Sequence, residues 1–170
     1  MNFHEFPEFN VGINYREQHP TLEAARKWRY ITLQDVMIEL DVDVKRLQDV
    51  AFFCGKHRER MVLVGNVLMI RAGYAWNGCT PKRWSSVLQR WVGTPDFQET
   101  ILASLFHDAL YQFSRTEHFP FHKSEVDSLF YNIIYRAGAV KIASVYHGAV
   151  NKLGKWTDKP TNGEYSKLLK

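Results

Sequence analysis

The segment Met61-Val62-Leu63-Val64, Gly65-Asn66, Val67-Leu68-Met69-Ile70 constrains the fold more than any other stretch of the chain. Two apolar arms of strand length flank a two-residue loop. Glycine at the first loop position supplies the positive φ that such a hairpin requires. Both arms are apolar without alternation, which predicts a hairpin covered on both faces. Upstream, Val36 to Val44 alternates apolar and mostly polar residues, the period-two mark of a half-buried strand. Arg29 to Leu33 is a shorter candidate strand, joined to it by a turn at Gln34-Asp35.

Beyond Ile70 the pattern changes. Gly73 to Pro81 is an irregular loop with two glycines and a proline, and the period after it is helical. Thr94-Pro95-Asp96 combines a capping hydroxyl, proline at the first helical position and an acid at the positive end of the dipole. The helix it starts should run from Pro95 to Phe113. A second helix follows Ser124, where Ser-x-x-Asp resembles a capping box, and stops near Gly138. A third runs from Val140 to about Leu153 and stops at Gly154. These elements predict an α+β fold, an N-terminal antiparallel β-meander packed against a C-terminal cluster of about three helices. The chain reads as a single domain over 1–170, with an N-terminal arm (1–27), sheet (28–72), functional-loop region (73–93), helical cluster (94–154) and polar surface tail (155–170).

The 170 residues are 45% hydrophobic, enough for one domain to bury roughly two-thirds of its unfolded surface. The net charge of +4 comes with short basic clusters (Arg26-Lys27 with Arg29, Lys56-His57-Arg58 with Arg60, Lys82-Arg83). These read as solvated loops and strand edges, not a nucleic-acid surface. Cys54 and Cys79 make neither a disulfide framework nor a zinc-type Cys-x-x-Cys. The first residues lack the basic region and apolar run of a leader, and no apolar stretch reaches the ~18 residues that cross a bilayer. The expectation is a soluble protein of a reducing cytosol, with no membrane partner.

Chemistry concentrates at His107-Asp108, set between Leu105-Phe106 and Ala109-Leu110-Tyr111. Such groups are drawn inward by their neighbours and must there be paired, hydrogen-bonded or metal-bound. Consecutive on a helix, they lie about 100° apart, so both border one space and neither readily bonds the other. One reading makes His107, Asp108 and Asp127 the catalytic residues and ligands of one divalent metal ion, which would polarise a substrate oxygen or supply hydroxide. Trp76, Asn77 and Thr80 would then bind substrate. The other reading makes the pair a buried polar network tied to the Trp76-Asn77 loop, with Asp127 capping the helix after Ser124. His118 and His122 are loop candidates for further ligands or a base, His147 is a semi-buried helix residue, and Cys79 is a weak candidate nucleophile with His107 as base. Trp84 and Trp91 are further candidates for a cleft lining.

Gly73-Tyr74-Ala75-Trp76-Asn77-Gly78-Cys79-Thr80-Pro81, Leu105-Phe106-His107-Asp108-Ala109-Leu110-Tyr111 and Glu125-Val126-Asp127-Ser128-Leu129-Phe130 together resemble the domain of unknown function 1353 family of tailed phages and prophages. The resemblance covers Arg29 to Gly154. It departs at Asn77, where the family pattern has Asp, and at Cys79, where it has Ala. It implies Asn77, Thr80, His107, Asp108 and Asp127 as the polar constellation and a phage origin, with the protein in the host cytoplasm or in the virion. A phage-encoded metal-assisted hydrolase is one expectation. The alternative is a non-enzymatic virion or assembly component, or a host-directed inhibitor, whose partners are other phage structural proteins or a host protein. A His-Asp phosphohydrolase would need another histidine on an earlier helix, and His57 lies beside predicted strands.

Overall fold

A computed structural model describes residues 11–12, 28, 30–79, 82–85, 90–93, 97–153 and 163–170. The fold is α+β, with antiparallel sheet in the N-terminal part and three helices in the C-terminal part. Strands β1 (Val11–Gly12), β2 (Tyr30–Thr32), β3 (Val36–Glu39), β4 (Val50–Cys54), β5 (Arg58–Val64), β6 (Val67–Ile70), β7 (Ala75–Trp76), β8 (Lys82–Ser85) and β9 (Arg90–Gly93) precede helices α1 (Gln98–Phe113), α2 (Lys123–Arg136) and α3 (Val140–Leu153). Strand β10 (Glu164–Leu168) follows.

The main sheet has the order β10-β4-β5-β6-β3 and is antiparallel throughout. The Gly65-Asn66 hairpin forms where the sequence places it. Gly65 has φ 57° and Val64 pairs with Val67. Its coverage is uneven: Met61, Val62 and Leu63 are buried while Val64 is 47% exposed. A register shift between Phe52 and Phe53 leaves Arg60 as the extra residue of a bulge, the kind of irregularity that re-aims a side chain. Arg60 Nη1 donates to Gly73 O at 2.7 Å, tying the bulge to the loop ahead of the helices.

Several expectations change. The strand expected over Val36–Val44 ends at Glu39, and Val44–Arg46 is a 3-10 turn. Asp43 accepts from the Lys45 amide, a local bond that competes with strand pairing. The turn at Gln34-Asp35 joins two different sheets, and Asp35 accepts from Ala72 N and Arg71. The Gly73–Pro81 stretch, expected to be irregular, carries β7, and the rest of the 73–93 region holds the β8–β9 hairpin, in which Trp84 and Trp91 stand opposite in register. The C-terminal tail, expected on the surface, contributes β10, and Glu164 is buried. Helix α1 is described from Gln98; the Thr94-Pro95-Asp96 start lies outside the described residues, as do Thr80 and Gly154.

One core joins both layers: Phe52 of β4 meets Phe113 of α1 at 5.6 Å between centroids. Helix α2 turns Val126, Leu129, Phe130, Ile133 and Ile134 inward, the i, i+3, i+4 spacing of an amphipathic helix. Its end is a Schellman turn: the Gly138 amide donates to Tyr135 O and Ala139 to Ile134 O, with Gly138 at φ 86°.

Candidate functional site

The loop before the helices is fixed by Thr32. Its Oγ1 donates to Arg71 O and accepts from the Tyr74 amide, while its backbone pairs with Gly73 and Tyr74. This delivers Trp76 into the core at 1% exposure, where its indole N–H donates to Ser104 Oγ at 3.1 Å. Trp76 therefore anchors β7 to α1 and does not line an open cleft. Asn77 is half-buried.

The polar centre lies one turn further along α1. His107 Nε2 approaches Asp127 Oδ1 at 3.2 Å, the Tyr111 hydroxyl donates to the same oxygen at 2.7 Å, and Lys123 Nζ donates to Oδ2 at 2.5 Å. An ionised carboxylate only accepts, so Nε2 carries a proton. The other ring nitrogen, Nδ1, faces Asp108 Oδ1 at 3.9 Å, an electrostatic contact longer than a hydrogen bond. The imidazole packs between Tyr111 and Phe130, with centroids at 4.1 and 4.9 Å. Side-chain exposure is 1% for Asp127, 10% for His107, 29% for Asp108 and 31% for Lys123. The imidazole and both acids thus share one centre.

Burial alone would push the Asp127 carboxyl up. Its bonds to His107, Lys123 and Tyr111 outweigh that and hold it at about 2. Burial would likewise lower His107, but the Asp108 and Asp127 carboxylates win and raise it. Burial and the bond to Asp127 push the Tyr111 phenol up, so it remains a donor. These directions agree with one another: an ionised acid is surrounded by donors.

The capping role offered to Asp127 is taken by Glu125. Helix α2 begins two residues earlier than expected, after His122, and Glu125 Oε2 accepts from the His122 amide at 2.8 Å. Asp127 therefore turns inward. The network joins α1 to α2. His122 is exposed at the helix start, His118 contacts Glu117 and Ser166, and His147 packs on Tyr131. The Cys79 thiol is buried and directed at Thr100 O at 3.9 Å.

Sequence reasoning missed Lys123 and the second polar link of α1. There Tyr74 donates to Gln112 Oε1 at 3.0 Å, and Gln112 Nε2 donates to Glu164 Oε1 at 3.1 Å. The Lys123 signal was present as an i, i+4 pair with Asp127. Among the described residues, no group of three or more His, Cys, Asp or Glu is arranged to hold a metal ion. A separate cleft of about 350 Å³ lies between the β3–β4 connection and α2, bordered by Asp41, Ser124, Ser128, Asn132 and Arg136, with Leu40, Leu110 and Leu129 in its lining.

Comparison with protein-family models, curated proteins and solved structures finds no match. No helix of the described residues is long and apolar enough to cross a membrane.

Proposed function

We propose that the protein is a non-catalytic binding component, of the phage virion, assembly or host-directed kind that its likeness to the tailed-phage family implies. In this reading the His107–Asp127 cluster is an internal strut. One observation carries it: three donors occupy the two oxygens of Asp127, and both ring nitrogens of His107 face carboxylates. A general base needs an accessible nitrogen, and a metal ligand needs a lone pair directed at the ion. The cluster offers neither without rearrangement. The phage component is supported by the order of the Gly73–Pro81, Leu105–Tyr111 and Glu125–Phe130 motifs.

A metal-assisted hydrolase is the second reading, and Asp108 favours it: its carboxylate is partly exposed beside His107 Nδ1. The donor set fits an ion poorly, because Lys123 already compensates the charge of Asp127 and Tyr111 already donates to its Oδ1. Melting with chelator, then with Zn²⁺, Mn²⁺ or Mg²⁺, separates the two. A site that binds the native state stabilises it by RT ln(1 + [L]/Kd), about 2.7 kcal/mol at a hundredfold excess over Kd. The strut reading expects no shift with chelator or ion. A rise of several degrees, lost in Asp108→Asn, would replace it with the metal reading.

A further inference from the structure

We propose that the cleft beside α2 binds a short extended peptide, its backbone held along Ser124, Ser128 and Asn132 and one apolar side chain seated on Leu40, Leu110 and Leu129. This deepens the binding-component reading and rests on it. The cleft, about 350 Å³, falls within the ~300–1,000 Å³ of ligand pockets. Its floor is apolar: Leu40 is 4%, Leu110 1% and Leu129 9% exposed. The wall is different. Ser124, Ser128 and Asn132 follow one another at four-residue steps, all exposed, and none is hydrogen-bonded through its side chain to another described residue.

Four helical residues rise about 6 Å, while every second residue of an extended peptide recurs at about 6.6–6.8 Å. The two repeats stay within side-chain reach over three positions. Serine and asparagine both donate and accept, so the wall matches the alternating C=O and N–H of a peptide edge. A strand also alternates its side chains, sending one to the leucine floor and the next to solvent. Asp41, Glu125 and Arg136 bring both signs of charge to the rim, which suits a neutral backbone better than a strongly charged ligand. A glycan would meet the wall but would set hydroxyls against the leucines.

The test is selection from a displayed library of random heptapeptides against the full chain, followed by titration of the synthesised winner. The expected winner carries an apolar residue flanked by extended, non-proline positions. Its affinity should fall at least about tenfold in Ser128→Arg, with melting unchanged because Ser128 faces solvent. Asn132→Arg is the second variant should the first unfold. Failure to enrich any peptide, or equal binding of the winner to both variants, overturns the proposal. Neither result shifts melting with metal, so the strut reading is judged separately.

Discussion

Replacing Asp127 by Asn keeps the shape of the side chain and removes its charge. The amide still offers one oxygen, but its NH₂ must face either Lys123 Nζ or the His107 and Tyr111 donors, so donor meets donor in either orientation. The carboxyl stands at about 2 against an ordinary 3.8. That drop corresponds to about 2.5 kcal/mol at roughly 1.36 kcal/mol per unit. Losing one member of a buried pair reaches about 3–5 kcal/mol. Lys123, part-exposed, can turn to water, which places the expected loss near the lower figure. Urea unfolding at pH 7 should therefore show about 2.5 kcal/mol less stability, and melting should fall by about 5–10 °C. The pH dependence has a definite sign. The depressed carboxyl contributes fully above 3.8 and ceases to as pH falls toward 2. The raised imidazole contributes fully below 6.5 and ceases to as pH rises through its folded value. The variant should lose the part of the acid-side slope that Asp127 supplies, leaving that of Asp35 and Glu125. A melting temperature within about 1 °C of the parent, or an unchanged acid profile, would refute the reasoning.

Two other perturbations follow from the fold. Gly138→Ala adds a methyl that meets nothing within 4 Å, at φ 86°, so its cost is backbone strain alone, about 1 kcal/mol by urea unfolding; a neutral result would contradict the Schellman end of α2. Ending the chain before Glu164 strips β10 from β4 and breaks the Gln112–Glu164 bond. Light scattering should then report a larger mass than for the full chain, because the uncovered strand edge pairs with another copy; an unchanged mass with unchanged melting would show that β10 is dispensable.

The hairpin at Gly65 and the three helices were legible because their signals are local: a turn residue, a period, a stop. The Val50–Cys54 strand carries no such signal, since Val-Ala-Phe-Phe-Cys is mostly buried and lacks a period. Strand β10 was read as tail because Glu164 and Lys167 are polar, and only pairing with β4 makes Glu-Tyr-Ser-Lys-Leu a strand. At the site, the apolar setting draws His107 inward to pair with Asp127, while Asp108 beside it stays 29% exposed. The grouping of Asp127 with His107 is met in the structure, and the alternative capping role falls to Glu125 because His122, not Ser124, is the cap. A two-residue shift of the helix start decides whether a carboxylate caps the helix or enters the core.

The central claim, that carboxylates on both sides of His107 strengthen its hold on a proton, is tested most directly by a ¹⁵N and ¹³C NMR titration of its imidazole. The account predicts a midpoint above the ordinary 6.5, with both nitrogens protonated below it, and a lower midpoint in Asp127→Asn. A midpoint at or below 6.5 in the parent, or one that Asp127→Asn leaves in place, would contradict it.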